Sequence, residues 1–310
     1  MKEEMTLKDS TRNLAKLMGY ENTEQSVHAY LYITYILNYL YYMAAPAGLV
    51  DKPPTGEIPP EVDEIVQMLA RKVGREALSA ETSTYHGKVV PLKDAIGLVT
   101  VDEDIELRDL EKVIPYRVAR DIVLENPLKI AVFECPCRVL HENPCEPIDV
   151  CMAVGDPIAS FIVEHELHNA RFVSAGEAVE ILKAEHERGH VHGAYFKDVA
   201  GGRFFAICNC CSCCCMGVQA WNKFKMPIIC SSGYVAAVTG ECTACGDCAE
   251  VCPFGAITVE ETALVDAEAC MGCGVCEGAC DYAAIRLELD PSRGEPLDIG
   301  KLAEEKKKKE

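Results

Sequence analysis

Apolar and polar positions divide the chain into a helical front, a mixed middle and a back of short strands. Residues 5–18 and 24–45 carry helix-period patterns, the second opened by Thr23 as an N-cap and stopped by Pro46 and Gly48. From Val27 to Val50 there is no Asp, Glu, Lys or Arg, a run long enough to cross a membrane. Yet Tyr30, Tyr32, Tyr35, Tyr39, Tyr41 and Tyr42, with His28 and Asn38, fill that run with groups that prefer interfaces to hydrocarbon. Burial inside the protein is therefore favoured for 27–50 over a subunit-docking face or a membrane span.

A Pro-rich linker, DKPPTGEIPP at 51–60, precedes an expected helix over 61–73 and a less regular acidic stretch. Residues 115–125 read as a helix with Pro115 in its first turn. LKIAVFE at 128–134 reads as a buried strand that delivers the chain to Cys135. Ser174 and Glu177 form a capping box for a helix over 175–188, and RFFAI at 203–207 is a second strand leading into a cysteine run. AITVE at 256–260 and AIRLEL at 284–289 read as short strands. The expected fold class is α+β: a helical N-terminal region (1–50), linker and helices (51–125), a mixed α/β cysteine-rich middle domain (126–232), a C-terminal domain of short strands (233–290) and a disordered tail (291–310). Lys306 to Lys309 are expected to be solvated in that tail.

Composition narrows the function classes. A net charge of −19 repels phosphate backbones, so no nucleic-acid partner is expected, while it suits the basic face of a redox partner protein. Nineteen cysteines require disulfides or metal. The opening MKEEMTLKDS has no basic start, apolar run and small-residue site of a secretory signal, so a reducing cytoplasm and metal-bound thiolates are expected. No GxGxxG or Walker loop is present, which leaves no sign of a nucleotide site.

The sharpest motif is a repeat: Cys242-x2-Cys245-x2-Cys248-x3-Cys252-Pro253, then Cys270-x2-Cys273-x2-Cys276-x3-Cys280. Spacing of three lets one tight loop reach three corners of an Fe4S4 cube, with the fourth cysteine of each run serving the other cube. One cluster then takes Cys242, Cys245, Cys248 and Cys280, and the other Cys270, Cys273, Cys276 and Cys252. Structural zinc, which favours two separated pairs, explains this run poorly. Gly246, Gly272, Gly274, Ala244 and Ala249 let amides approach the sulfides. This region resembles bacterial dicluster ferredoxins, departing at Asp281, where the proline after the last cysteine is missing; polarity or solvent access is expected to differ there.

Ten further cysteines fall in two groups: Cys135, Cys137, Cys145 and Cys151, then Cys208, Cys210, Cys211, Cys213, Cys214 and Cys215 within ICNCCSCCCMG. So many neighbouring thiolates oxidise or repel unless metal binds them. Iron–sulfur is favoured over zinc because a ferredoxin shares the chain and can wire the site. Two cubanes would use eight of the ten; one cubane with a non-cubane site fits as well. Adjacent Cys210 and Cys211 are expected to serve separate irons or clusters. Cys230 stands apart and reads as a buried thiol. His86, His190 and His192 are candidates for iron ligation or proton relay, although a histidine satisfying helix-end carbonyls is the simpler reading. Arg138, beside the first thiolates, either offsets cluster charge or anchors an anionic ligand, or simply lies on the surface.

YHGKVVPL at 85–92, ELRDLEKVIPY at 106–116, CPCR at 135–138, Pro144 to Cys151, GHVH at 189–192 and CNCCSCCC resemble a broad family of prokaryotic 4Fe-4S-binding proteins that join CPCR and CNCCxCCC segments to a ferredoxin. The resemblance spans 84–290 and implies anaerobic redox metabolism and electron transfer, with no substrate attached. Three functions follow: an electron-transfer subunit with two ferredoxin-type [4Fe-4S] clusters and one or two more in the middle domain; an iron–sulfur oxidoreductase with its active-site cluster at Cys208–Cys215; and a cluster-assembly or docking protein.

Overall fold

The computed structural model describes residues 8–17, 23–78, 85–108, 110–115, 121–197 and 202–308. The front is helical: α1 (Asp9–Leu17), α2 (Thr23–Thr34), α3 (Ile36–Ala44) and α4 (Pro60–Leu78). The apolar run expected as one helix over 24–45 is two, because Tyr35 leaves helical geometry at φ −115° and ψ 38°. The bend lets both pieces lie against the protein; Tyr32 and Tyr39 are buried. No helix among the described residues is long and apolar enough to cross a membrane.

The middle of the chain builds one eight-stranded sheet. Its elements are β1 (Tyr85–Val90), α5 (Leu92–Thr100), β2 (Ile105–Leu107), β3 (Ile122–Glu134), α6 (Pro136–Val139), β4 (Asp149–Asp156), α7 (Ile158–Glu164), β5 (Arg171–Val173), α8 (Ala175–Glu187), β6 (Val191–Lys197), β7 (Arg203–Cys210), α9 (Met216–Phe224) and β8 (Ile229–Cys230). Strand order is β2-β3-β4-β7-β6-β1-β8, with β5 also on β3. All pairs are antiparallel except β1 with β8.

Two expectations change here. The helix read over 115–125 gives way to strand from Ile122 onward, because Ile122 and Leu124 alternate inward and pair with Leu107 and Ile105; residues 116–120 lie outside the described ones. The expected boundary at 125/126 also cuts through β3, and β1 and β2 from the presumed linker region join the sheet. Half of the expected capping box forms: Ser174 accepts from the Glu177 amide at 3.1 Å, while the Glu177 carboxylate pairs with Arg171 at 2.7 Å.

Alternation along the strands sends side chains to opposite faces. Ile130, Val132, Met152 and Val154 pack with Leu98 and Leu182 of α5 and α8, whereas Ala131, Phe133, Cys151 and Ala153 face α2 and α4. The sheet is thus covered on both sides, and the second face is where the cysteines lie.

At the back, β9 (Tyr234–Val238), α10 (Asp247–Glu250), β10 (Ile257–Val259), β11 (Ala263–Val265), α11 (Val275–Gly278) and β12 (Ile285–Leu289) form a pseudo-symmetric unit. β9 pairs with β12 and β10 with β11, and the short helices α10 and α11 each follow a left-handed glycine, Gly246 and Gly274. The tail expected to be disordered from 291 instead carries α12 (Ile299–Lys307), capped by Asp298. Leu297 and Ile299 are buried in the α5–α8 core, and Lys307 pairs with Glu103 at 2.7 Å, so apolar anchors hold this segment down.

Candidate iron–sulfur centres

Two cavities in the C-terminal unit are lined by the two crossed sets of thiols. Cys242, Cys245, Cys248 and Cys280 line one, and Cys252, Cys270, Cys273 and Cys276 the other. Each fourth cysteine reaches across because the unit is a folded repeat. The amides of Ala256 and Ala284 donate to the Cys252 and Cys280 sulfurs, both at 3.3 Å, and Ala263 donates to Cys242 at 3.4 Å. Such donors spread negative charge over thiolates, which is what a cluster requires.

Backbone clearance also fits. A Cβ on Gly272, where φ is +63°, would stand 2.2 Å from the Tyr234 carbonyl oxygen, so only glycine allows this loop to close around its cavity. The turn after Cys280 forms without proline: Ala283 donates to the Cys280 carbonyl at 3.0 Å, as Gly255 does to Cys252 at 3.2 Å. Asp281 and Tyr282 are exposed beside the first cavity, in which Cys245 is exposed; Cys270, Cys273 and Cys276 in the second are buried. Burial and neighbouring thiols push Cys276 up to about 12, and Cys273 upward as well, so neither ionises readily without bound cation.

Two thiol-lined cavities related by an internal repeat, with amides directed at the sulfurs, define a dicluster iron–sulfur domain. Residues 241–284 match the family described as 4Fe-4S dicluster domain. Comparison of the chain with curated proteins gives no match. Together with the other cysteines, the match points to an iron–sulfur electron-transfer protein.

The ten middle cysteines separate into six and four. Thiol contacts run Cys135–Cys137–Cys215–Cys210–Cys208–Cys151 and back to Cys135, a closed ring. Its members come from the end of β3, the start of α6, β4, β7 and the start of α9. Cys135 and Cys215 occupy the N-caps of α6 and α9. Hydrogen bonds from neighbouring thiols, chiefly that of Cys137, hold both well below the ordinary thiol range, aided by the amides of Arg138 and Val218. Cys137, Cys151, Cys208 and Cys210 are driven well above it by the same crowding and by burial. Six thiols this close cannot all ionise unless metal supplies positive charge.

The other four, Cys145, Cys211, Cys213 and Cys214, form a separate tight group. Adjacent Cys210 and Cys211 therefore serve different groups. Cys230 is half-buried on β8 opposite Lys88, apart from both.

Polar residues beside the ring are buried and interlocked. Arg138 is no surface residue: Nη2 donates to Glu185 Oε2 at 2.7 Å and to the Asn209 carbonyl at 3.0 Å, and Nη1 donates to the Pro147 carbonyl. His190 Nδ1 lies 2.7 Å from the same Glu185 oxygen. Burial would raise the Glu185 carboxyl, but hydrogen bonds from His190 and Arg138 outweigh it and hold the group below its usual range. His192 is not at a helix end; it lies in β6 and its Nδ1 donates to Asn209 Oδ1 at 2.6 Å, because the Asn209 amide is committed to the Val150 carbonyl. Burial lowers His192 to about 4, so it is a neutral imidazole. The side chain of His86 lies outside the described residues.

Glu185, Asn209 and Tyr195 escaped the sequence reading. Tyr195 Oη stands 3.6 Å from Cys210 Sγ, and its ring fills the space left by Gly87 and Gly193, where a Cβ would meet it at 2.8 and 2.9 Å. Asn209 had one signal, its place between Cys208 and Cys210.

Proposed function

We propose that the chain is an electron-transfer subunit whose route runs from the Cys242, Cys245, Cys248 and Cys280 set, through the Cys252, Cys270, Cys273 and Cys276 set, to an iron–sulfur cluster held by the six-thiol ring. The carrying observation is that one continuous apolar cluster contains Cys210 and Cys215 of the ring together with Cys248, Cys270, Cys273 and Cys276. Tunnelling between centres depends on close, dry packing, and these groups share one buried apolar cluster. The Asn222 amide bonds the Pro253 carbonyl at 2.9 Å, fixing α9, which starts at the ring, onto the loop after Cys252. The more exposed first set is the port for a redox partner protein, whose basic face the net charge of −19 favours.

Anaerobic purification with iron and acid-labile sulfide counts, followed by EPR at stepwise potentials, tests this. Three magnetically interacting centres are expected. Two centres only, with the ring thiols all alkylated by a thiol reagent in the native protein, would reject the route.

A second reading makes the ring an active-site cluster. A cavity of about 100 Å3 lies over it, lined by Tyr32, Ile36, Leu40 and Met43 from α2 and α3 and by Phe133 and Phe205. This space favours a small apolar substrate reaching the ring. An EPR change at the third centre on adding carbon monoxide or cyanide would support an open iron there; no change on either addition would leave the relay.

A further inference from the structure

The four thiols outside the ring have a different geometry from every other cysteine set in the protein. The sulfurs of Cys145, Cys211, Cys213 and Cys214 all lie within 4.8 Å of one another, and among the described residues no other group of metal-capable side chains is so tight. Cys145 Sγ is 2.6 Å from Cys213 Sγ, and Cys213 Sγ is 3.6 Å from Cys214 Sγ. Thiolates placed ~2.3 Å from one tetrahedral ion are separated by about 3.8 Å. Thiolates on the corners of an Fe4S4 cube stand further apart, since iron and inorganic sulfide fill the middle. The two crossed sets in the C-terminal unit each surround a cavity.

The backbone supports the same conclusion. The Cys145 amide donates to Cys214 Sγ at 3.5 Å, and the Cys214 amide donates to Cys211 Sγ at 3.4 Å. The first bond ties the loop before β4 to the loop after β7 through a sulfur, and the second closes the latter loop on itself. We propose that Cys145, Cys211, Cys213 and Cys214 bind one tetrahedral divalent ion, zinc or ferrous iron, with no inorganic sulfide. The proposal is independent of the electron route. Its consequence is positional: Cys210 and Cys215, which belong to the ring, flank Cys211 and Cys214, so an ion at the quartet sets the loop that aims them. Cys213 is exposed, which puts the ion at the surface and within reach of chelators.

The test uses the full chain, purified anaerobically, with metal content by mass spectrometry and acid-labile sulfide measured on the same samples. In Cys145→Ser and Cys213→Ser proteins one zinc or iron per chain is expected to be lost while sulfide stays at the wild-type value. Loss of several irons with matching sulfide would overturn the proposal, because that is the signature of a cluster. So would a metal content unchanged in both variants. Should the variants fail to fold, X-ray absorption on the wild type decides: a zinc edge with four sulfur neighbours, or, without zinc, a mononuclear ferric EPR signal after mild oxidation, is expected. Absence of both signatures would also overturn it. Zinc against iron is read directly from the metal analysis.

Discussion

Arg138 and Glu185 form an ion pair closed to solvent from both sides, 2.7 Å from Nη2 to Oε2, with the side chains 1% and 0% exposed. It joins α6, directly after ring residue Cys137, to the last turn of α8. A buried cation beside the ring favours the ionised forms of Cys135 and Cys151, and the carboxylate holds that cation in place.

Breaking the pair from one side leaves a charge buried without its partner, which costs about 3–5 kcal/mol. Glu185→Gln is therefore expected to lower the urea midpoint of the anaerobic protein strongly. Glu185→Gln combined with Arg138→Met should recover part of that loss, because no buried charge remains. Equal destabilisation in single and double variants would show that the pair acts through packing alone.

His28 predicts an acid-sensitive front. Its Nε2 lies 2.9 Å from Tyr39 Oη, and burial, helped by Lys197 and Lys72, lowers it from 6.5 to about 4. Because the folded form resists protonation, the unfolded chain binds more protons between those values. Stability from the neutral ring is full above about pH 6.5 and is lost as pH falls toward 4, by at most ~3 kcal/mol. Unfolding free energy measured across that window should slope upward with pH, and His28→Gln should flatten the slope.

Lys197 lies under the same helices, its ammonium 4.4 Å from the Tyr32 ring centroid and 5.6 Å from that of Tyr39. It is 1% exposed, where a cation–π contact is worth ~2 kcal/mol. Lys197→Met is expected to speed proteolysis of the front by loosening α2 and α3. It should also raise the His28 titration midpoint toward 6.5, read by NMR, since a repelling charge is removed.

Gly272 and Gly246 occupy left-handed backbone in the paired loops, but only Gly272 is crowded. Gly272→Ala must move the Tyr234 carbonyl, whereas a Cβ on Gly246 meets nothing within 4 Å. Gly272→Ala is expected to lose about four iron and four sulfide from the Cys252 set. Gly246→Ala should retain its cluster, with a penalty of roughly 1–2 kcal/mol for the backbone conformation. Normal cluster content in both proteins would rule out the crowding argument.

What could be read in advance follows from distance along the chain. The eight C-terminal cysteines sit in tight loops, so their spacing sets which sulfurs can line one cavity; the Ser174 cap of α8 and the strands around 128–134 and 203–207 are equally local. Residues 122–125 and 297–307 depart from expectation because Ile122, Leu124, Leu297 and Ile299 take their conformations from partners far away in sequence, on β2 and in the α5–α8 core.

The sequence by itself determined that the chain carries a dicluster domain and that ten further cysteines crowd into two segments of its middle. Only the tertiary structure divided those thiols into a ring of six and a knot of four, and placed Arg138 with Glu185 between strands and helix. The reason is that β3, β4 and β7 pair side by side, so Cys135, Cys151 and Cys208 meet across hydrogen-bonded strands while Cys145 swings out to Cys213. Spacing along the chain carries no information about which strand lies beside which, and that choice sorts the sulfurs.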